Sequence, residues 1–441
     1  MAFSKTLAEM EQNIPESDAR KRLMAFFDDG QFNELDKFLS AEGEVSSVVT
    51  GFGSVDGTSV YVFAQDSSVK GGAVNKSAAL KIAKIYDLAA KSGAPVVGFF
   101  DSKGGEINEG MAVLAAYGEI MKASAAISGV VPQIAVVTGV CAGCAAMLAE
   151  MADITVMSED AELFLTSPFN TPDGKLDGAG KAKSAAKSGV ADIVVKNADA
   201  AVETAKKLVS ILPENNMGVG GNNGFAENDA VVNASMKGEK LVEALADKNS
   251  VIELGAAFGS AAYTALASVK WGTVAFVATD KAEKLTADDA AKIARFVQFA
   301  DVFSIPVVTV VNTNGFEGSS AAEFAGSVRE CAKLAQVYAT ATTLKINLIT
   351  GNAFGAAFAA FESADITYAW EGAKIAPMNP EAGKVFMGEE LVVSPFAAAS
   401  EGMIEGVIAP EDTREALASA MWICSDKRVA SPARKRPNIA F

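Results

Sequence analysis

The sequence predicts an α/β protein that is built from two tandem copies of one domain. One observation is an internal repeat with a spacing of about 212 residues, far longer than the unit of a solenoid. A second is that short β-rich runs alternate with amphipathic helical segments in both copies, as in layered α/β proteins. A third is a polar, glycine-rich stretch from Pro213 to Asp229, which has the composition of a linker.

The N-terminal region is expected to begin with helix, because apolar residues recur at helical spacing over residues 1–40. These residues are Leu23, Phe26, Phe27, Phe32, Leu35 and Phe38. The segment from Val45 to Asp66 then predicts a β-hairpin, since two β-rich runs flank the turn residues Asp56 and Gly57.

Helices and strands alternate after the hairpin. An amphipathic pattern predicts a helix from Ala78 to Ser92, and the dipeptide at 94–95 opens a buried strand. A second helix is expected from Met111 to Ser128, followed by a buried strand from Gln133 to Thr138. Residues 271–404 repeat this plan, so each copy predicts the same α/β layers.

The repeat itself consists of three pairs of blocks that correspond in order. They are VYVFAQD with VAFVATD, residues 81–100 with residues 292–311, and PQIAVVTGVCAGCAAMLAEMADITVM with KINLITGNAFGAAFAAFESADITYAW. In the last pair, Gly143 corresponds to Gly355, and both blocks continue into the tetrapeptide ADIT. Two copies of one domain imply two similar sites.

Composition excludes several classes of function. The 441 residues carry a formal net charge of −16, which argues against a nucleic-acid partner. Histidine is absent, so neither a Ser-His-Asp triad nor a His-ligated metal is possible, and we expect no metal site. The chemistry must therefore come from backbone dipoles, carboxylates, lysines or the substrates themselves.

We expect a cytoplasmic protein. Four cysteines are too few for a secreted disulfide scaffold, and no apolar run reaches the ~18 residues that a membrane span needs. The N-terminal segment is charged and lacks the apolar core of a secretion signal. Cys141 and Cys144 form a C-x-x-C, which we interpret as small side chains in a tight turn.

The strand-to-helix turns TGVCAGCAA and TGNAFGAAF are the candidate sites of chemistry. Small residues allow a ligand to approach the backbone, and the first N–H groups of a helix have no partner within that helix. Such groups can stabilise a developing oxyanion. The candidate donors are the N–H of Gly143 or Cys144 in the first copy, and of Gly355 or Ala356 in the second.

Two glycine-rich loops follow strands of the first copy. Gly71 and Gly72 lie in VKGGAV, and Gly104 and Gly105 lie in DSKGGEINEG. Neither loop fits the G-x-G-x-x-G pattern of dinucleotide-binding domains. Each loop could cover a ligand or simply turn the chain.

Several stretches resemble one family, in order, along nearly the whole chain. They include VVTGFGSVDGTSVYVFAQD, KIAKIYDLAAKSGAPVVGF, EGMAVLAAYGEI, SGVVPQIAVVTGVCAG, IPVVTVVNTNGF and YAWEGAKIAPMNPE. On these motifs the chain resembles the biotin-dependent acyl-CoA carboxyltransferases, including propionyl-CoA carboxylase β subunits and acyl-CoA decarboxylase subunits. The resemblance implies two crotonase-type domains, each a ββα superhelix. Residues 1–222 would form the acyl-CoA side and residues 223–441 the carboxybiotin side.

The resemblance also implies a mechanism. Carboxybiotin on a separate carrier would release CO2, and the biotin oxyanion would be held at Gly355 and Ala356. The biotin nitrogen would then take the α-proton of an acyl-CoA, and the enolate held at Gly143 and Cys144 would attack CO2. No side chain needs to act as acid or base, which agrees with a chain that lacks histidine.

The resemblance also implies which residues line the binding sites and which partners the chain has. The residues expected to line the sites are Gly71, Gly72, Gly104, Gly105, Ala142 and Phe354. The implied partners are a biotin carboxyl carrier protein, an acyl-CoA, and a biotin carboxylase or a membrane decarboxylase subunit. Of these, the membrane decarboxylase subunit is the one that would bring the chain to a membrane. Family members form dimers or hexamers, so a homo-oligomer is expected.

Two other hypotheses stay open. A crotonase-type hydratase, isomerase or hydrolase would use a carboxylate base such as Glu106, Glu109 or Glu162 and would need no biotin. A non-catalytic assembly subunit would bind partners without binding acyl-CoA. The direction of transfer and the acyl group are also open, and Cys144 stands where the family usually has a second glycine.

Overall fold

The chain forms two compact units, Met1–Gly218 and Val219–Phe441. The structure is a computed structural model. It describes residues 6–12, 14, 16–41, 44–166, 170–172, 174, 178–218, 224–270, 272–281 and 284–430. The predicted boundary between residues 222 and 223 lies outside these described residues, and the division between the units falls at Gly218.

The first unit contains ten strands and seven helices among its described residues. The strands are β1 (Asn33–Leu35), β2 (Ser40–Ala41), β3 (Glu44–Val45), β4 (Val48–Val55), β5 (Thr58–Gln65), β6 (Val96–Ser102), β7 (Gln133–Ala142), β8 (Ile154–Ser158), β9 (Glu162–Phe164) and β10 (Ile193–Val195). The helices are α1 (Leu7–Glu11), α2 (Asp18–Phe26), α3 (Lys76–Ser92), α4 (Ala112–Ile127), α5 (Cys144–Glu150), α6 (Ala182–Lys187) and α7 (Ala198–Ile211).

The second unit contains eight strands and eight helices in the part of the chain that the structure describes. The strands are β11 (Ile252–Glu253), β12 (Tyr263–Val269), β13 (Gly272–Ala278), β14 (Val307–Thr313), β15 (Lys345–Phe354), β16 (Ile366–Trp370), β17 (Lys374–Ala376) and β18 (Gly406–Ile408). The helices are α8 (Gly238–Leu245), α9 (Ala287–Val302), α10 (Ser320–Phe324), α11 (Ser327–Thr340), α12 (Gly355–Phe361), α13 (Pro380–Met387), α14 (Pro395–Ser400) and α15 (Thr413–Ile423).

The main sheets of the two units have the same topology. The first has the order β1-β4-β5-β6-β7-β8-β10 with β9 beside β7, and the second has the order β11-β12-β13-β14-β15-β16-β18 with β17 beside β15. In each sheet the first three strands are antiparallel and the following ones are parallel. The carboxyl ends of the parallel strands therefore meet at one edge, where α/β proteins commonly bind ligands.

Local sequence explains the elements that open each copy. The β4–β5 hairpin turns at Asp56 and Gly57 with φ of 48° and 81°, the left-handed conformations of a two-residue turn. Helix α3 begins where the Asn75 side chain accepts a hydrogen bond from Ala78 N–H, and it ends at Gly93 with φ of 71°. The predicted hairpin and helix are confirmed.

The core of each unit lies on both faces of its sheet. In the first unit, Phe63 and Phe100 pack with Tyr86 of α3, whereas Phe99 faces the other way and contacts Phe26 of α2. This alternation follows from the period of two along a strand. Both faces of each parallel sheet are therefore covered by helices, as the apolar strand sequences require.

The predicted helical pattern is wrong after Phe26. Phe27 has an extended backbone and ends α2, and the chain then reverses through Asp28–Gly30 and forms β1 instead of more helix. The apolar side chains still pack, because Phe27 stacks on Phe32 at 5.7 Å and lies against Gly53, where a Cβ would come within 2.5 Å of its ring. Tertiary packing overrides the helical spacing here.

Among the described residues, no helix is long and apolar enough to cross a membrane.

Candidate active site

The first candidate turn joins β7 to α5. Gly143 has φ of 60° and ψ of −121°, a conformation that favours glycine, and α5 starts at Cys144. The Gly143 N–H donates to the carbonyl oxygen of Phe164 at 2.9 Å, so it is already engaged within the protein. Of the two alternative donors predicted at this turn, Gly143 is thus the one whose N–H has an acceptor within the protein. Cys144 is the candidate donor, because the N–H of a first helical residue has no acceptor one turn back.

The second turn repeats this geometry. Gly355 has φ of 62° and follows Phe354 at the end of β15, and Ala356 lies in the first turn of α12. A Cβ at Gly355 would stand 3.6 Å from the carbonyl oxygen of Pro377. The corresponding distance at Gly143, to the Leu165 carbonyl oxygen, is 3.9 Å. The two predicted turns thus have the same backbone form.

The loop that contains Gly104 lies against the first turn. The pairing of β6 with β7 shifts register between Phe100 and Ser102, and Ser102 pairs with Cys141. The Ser102 hydroxyl accepts a hydrogen bond from Gly104 N–H at 3.1 Å, and Gly104 has φ of 108°. A Cβ on Gly104 would stand 3.4 Å from the Ala142 carbonyl oxygen. Gly104 and Ala142, both predicted site residues, therefore lie side by side.

The other glycine loop is hydrogen-bonded to this one. Lys103 N–H donates to the Gly71 carbonyl oxygen at 3.0 Å. A Cβ at Gly72 would come within 2.1 Å of the Asp101 carbonyl oxygen, so only glycine fits there. The structure therefore brings Gly71, Gly72, Gly104 and Ala142 together at the carboxyl edge of the first sheet.

A second donor beside the first turn follows from the pairing of Gly105. Val74 N–H donates to the Gly104 carbonyl oxygen, and Glu106 N–H donates to the Val74 carbonyl oxygen, both at 2.9 Å. In such a parallel bridge the central residue, Gly105, directs its own N–H away from Val74. Its N–H is therefore a candidate second donor beside that of Cys144.

Phe316 has the corresponding place in the second unit. Leu285 N–H donates to the Gly315 carbonyl oxygen at 3.0 Å, and Glu317 N–H donates to the Leu285 carbonyl oxygen at 2.8 Å. Gly315 has φ of 113° and would place a Cβ 3.9 Å from the Phe354 carbonyl oxygen. Sequence reasoning missed Phe316, because a phenylalanine gives no glycine signal; its distance from the end of β14 could have identified it.

The three candidate carboxylate bases are all engaged. Glu106 lies 3.9 Å from Lys70, and the Glu162 carboxylate is paired with Lys181. Glu109 accepts a hydrogen bond from Lys76 N–H at 2.8 Å. These contacts hold each carboxylate in a structural interaction and do not favour a general base.

The C-x-x-C pair lies at the turn as free thiols. Cys141 is buried and Cys144 is half-buried. Burial, followed by the nearby charge of Asp101, raises the pKa of the Cys141 thiol well above its usual range, so this thiol stays neutral. The described residues include no group of three or more Cys, Asp or Glu side chains that could hold a metal ion.

Comparison with known proteins identifies the family. Residues 16–390 match the family model described as "Carboxyl transferase domain". The propionyl-CoA carboxylase beta chain of Roseobacter denitrificans is 32% identical over 96% of this chain and 93% of its own length. Methylmalonyl-CoA decarboxylase subunit alpha of Propionigenium modestum is 32% identical over 96% of this chain and 92% of its own length.

The fold comparison agrees. A solved structure of transcarboxylase 12S, a hexamer with methylmalonyl-coenzyme A and methylmalonic acid bound, superimposes with a TM-score of 0.91 and 30% identity. The alignment covers 99% of this chain and 95% of that one. The prediction of an internally duplicated α/β fold with two crotonase-type domains is confirmed. The chain belongs to the biotin-dependent carboxyltransferase family and is an enzyme of acyl-CoA carboxyl transfer.

Proposed function

We propose that the chain transfers a carboxyl group between biotin on a separate carrier protein and a short acyl-CoA, in either the carboxylase or the decarboxylase direction. The observation that carries the proposal is the pair of strand-to-helix turns with the same backbone form at Gly143 and Gly355. A transfer between an acyl thioester and a biotin ureido group involves two oxygen atoms that gain negative charge. Two matched amide sites suit this reaction.

The first turn is proposed to hold the thioester oxygen. The N–H groups of Cys144 and Gly105 would donate to this oxygen as it gains charge when the α-proton leaves. Fixed amide donors need no reorganisation during the reaction, and one such donor is worth about 10²–10³ in rate. The engaged carboxylates of Glu106, Glu109 and Glu162 support a route in which no side chain takes the proton.

The second turn is proposed to hold the ureido oxygen of biotin. Carrier-bound biotin supplies the carboxyl group or receives it. The residues fit an oxygen acceptor: Gly355 has no side chain, Ala356 has a small one, and the Phe354 side chain is buried at 3% exposure. The Asn352 side chain donates to the Asn314 Oδ1 at 2.7 Å, which fixes the adjoining loop.

Association with further chains follows from exposed apolar residues. On α13, Val385, Phe386 and Met387 are 87%, 78% and 60% exposed, and Ile107 and Met111 of the first unit are 86% and 85% exposed. Apolar side chains that are exposed in succession on one helix are unfavourable in water, and burial against another chain would remove them from it. We infer a homo-oligomer, a dimer or a hexamer, that receives a biotin carboxyl carrier protein and works with a biotin carboxylase or a membrane decarboxylase subunit. The four free thiols agree with a cytoplasmic location.

The test is a biotin-dependent carboxyl exchange. Purified protein is incubated with malonyl-CoA or methylmalonyl-CoA carrying a labelled carboxyl group, with and without free biotin, and labelled CO2 is counted. We expect release that requires biotin. Hydration, isomerisation or hydrolysis of an acyl-CoA without biotin, with no release of labelled CO2 and with loss of activity in Glu106→Gln, would instead support a hydratase, isomerase or hydrolase. Absence of acyl-CoA binding by calorimetry would support an assembly subunit.

A further inference from the structure

A cavity of about 670 Å³ lies beside α5 in the first unit. We propose that it binds the aliphatic chain of the acyl group, so that a straight-chain acyl-CoA of about six to eight carbons binds more tightly than the short acyl-CoA of the proposed reaction. This inference rests on the proposed function, since it takes the first turn as the thioester site. The residues that line the cavity and carry the argument are Ala146, Met147, Met151, Leu163, Leu165 and Val190.

The cavity shares wall residues with the contacts of the first turn. Phe164, which accepts the hydrogen bond from Gly143 N–H, and Leu165, whose carbonyl oxygen faces Gly143, both line it. Met147 follows Cys144 by one helical turn, about 4.5 Å along the axis at 1.5 Å per residue. An acyl chain that starts from a thioester held at Cys144 therefore enters the cavity after a few carbon atoms.

The cavity wall has the chemistry of an alkyl-chain site. Met147 is 47% exposed and Leu165 is 65% exposed, so apolar side chains at its mouth face water when the site is empty. A bound chain would remove them from water, which is the favourable term in apolar binding. Methionine adapts to chains of different length because its side chain is unbranched and flexible. The charged residue on the wall is Glu150, at the far turn of α5.

The second unit has a larger side chain at the matched position. Ala146 corresponds to Phe358, which is 5% exposed and packs inward from α12. Met147 corresponds to Ala359. The second copy thus has a phenyl ring at the position where the first copy has the small side chain of Ala146. The described cavity lies in the copy that is proposed to hold the acyl-CoA, next to a small residue that the second copy replaces with phenylalanine.

The first experiment measures affinity and does not require turnover. The full chain is titrated with CoA, acetyl-CoA, butyryl-CoA, hexanoyl-CoA and octanoyl-CoA by calorimetry. Each methylene moved from water to an apolar site is worth roughly fourfold in affinity. We expect the dissociation constant of octanoyl-CoA to be at least about tenfold lower than that of acetyl-CoA. A smaller ratio overturns the proposal.

The second experiment fills the cavity from two sides. Ala146→Phe introduces the residue found at the matched position of the second copy. Ser184→Phe places a phenyl ring in the cavity from the opposite wall, where the position is exposed and the substitution is less disruptive to folding. Either change is expected to reduce the octanoyl-to-acetyl affinity ratio to about threefold or less. Ala90→Phe, the same change at an exposed position on α3, should leave the ratio unchanged. An unaltered ratio in both cavity variants overturns the proposal.

Carboxyl transfer is scored separately. Transfer to acetyl-CoA together with a flat chain-length series would overturn this inference and leave the proposed function intact. A steep series in a protein that transfers no carboxyl group would support the cavity assignment and contradict the proposed function.

Discussion

The two strand-to-helix turns share one backbone form and differ in the side chains around it. Gly143 and Gly355 have φ of 60° and 62°, and Gly104 and Gly315, in the adjoining loops, have φ of 108° and 113°. The small residues of the first copy are replaced in the second by aromatic ones: Ala142 by Phe354, Gly105 by Phe316 and Ala146 by Phe358. The duplication therefore conserves the amide geometry and changes the space in front of it.

The side chain that packs against the strand before each turn differs in charge. A Cβ at Gly139 would stand 2.1 Å from the Asp101 carboxylate, and one at Gly351 would stand 2.4 Å from the Asn312 amide oxygen. Asn312 also accepts a hydrogen bond from Asn352 N–H at 2.9 Å. The first turn thus lies over a carboxylate and the second over a neutral amide. Arg22 lies 3.8 Å from the Asp101 carboxylate, so part of the negative charge under the first turn is compensated within the first unit.

Loss of one amide donor is expected to have the largest effect. Cys144→Pro removes the N–H at the first position of α5, and Ala356→Pro removes the N–H at the second position of α12. Both residues lie in the first helical turn, where helices tolerate proline best. We expect each change to lower kcat for biotin-dependent carboxyl transfer by about 10²–10³. Steady-state kinetics with malonyl-CoA and free biotin would measure this.

The matched control is Cys144→Ala, which keeps the N–H and introduces the residue found at Ala356. Because the proline and alanine variants differ in the amide donor, kcat of Cys144→Ala should exceed that of Cys144→Pro by at least about 100-fold. Equal rates in the two variants would exclude the amide role. A large loss of kcat in only one of the two proline variants would show that only one of the two turns contributes an amide donor to the reaction.

Two buried lysines at matched positions predict a pH-dependent stability. Burial lowers the pKa of Lys81 on α3 and of Lys292 on α9 to about 8, from the usual 10.5. Lys292 donates to the carbonyl oxygens of Gly259 and Ala262 at 3.4 and 2.9 Å. The charged neighbours of Lys81 are Glu34, Asp36 and Arg20. Burial therefore lowers the pKa of both lysines to a similar value, but their contacts differ, because Lys292 donates to two carbonyl oxygens whereas Lys81 has charged neighbours.

The sign follows from proton binding. Below pH 8 both the folded and the unfolded chain hold the Lys81 proton, and between pH 8 and 10.5 the folded chain binds fewer protons than the unfolded one. The free energy of unfolding of the natural chain therefore rises with pH in that window. Relative to Lys81→Met, the natural chain should gain about 2 kcal/mol between pH 7 and pH 9.5.

Urea unfolding at the two pH values measures the difference for the natural chain and Lys81→Met, so titrations common to both cancel. Lys292→Met is the matched comparison. It should show the same pH trend and an added loss at both pH values, because two carbonyl oxygens lose their donor. A pH-independent difference for Lys81→Met would mean that the folded pKa is not lowered.

Much of this comparison could be predicted from the sequence, because the repeat aligns residues whose roles are set by the backbone. The helix from Ala78, the hairpin at Asp56 and Gly57, and both glycine turns follow from local patterns. The continuation of helix beyond Phe26 could not be predicted, since its end depends on distant glycines in β4, such as Gly53, that accept the Phe27 ring.

The choice of the amide donor at the first turn could not be made from the sequence either, because it depends on a tertiary hydrogen bond. The sequence left Gly143 and Cys144 as alternatives, and the choice depends on Phe164, which follows the turn by 21 positions and accepts the Gly143 N–H. Gly105 and Phe316 share no residue type, so their relation rests on their equal distance from the ends of β6 and β14 and on the bridges to Val74 and Leu285. Backbone pairing is a property of the fold and leaves little trace in one sequence.

The smallest effect is expected at this last pair, where the first copy has no side chain and the second has a phenyl ring. A Cβ at Gly105 would come within 2.5 Å of Val113 Cγ2, so Gly105→Ala must displace the loop that presents its N–H. We expect kcat for carboxyl transfer to fall about tenfold, which is the cost of misplacing one donor without removing it.

The double variant Gly105→Ala/Val113→Ala tests the cause of that loss. Removing the Val113 methyl groups gives the new Cβ room, so kcat should recover at least half of its logarithmic loss, whereas Val113→Ala alone should lower only stability, by about 1 kcal/mol. If the double variant is no faster than Gly105→Ala, the clash is not the cause, and glycine is needed for direct contact with the substrate, because Gly105 does not have a positive φ. Phe316→Ala in the second copy removes a side chain without creating a clash, so it should leave the amide in place and lower kcat by less than Gly105→Ala does.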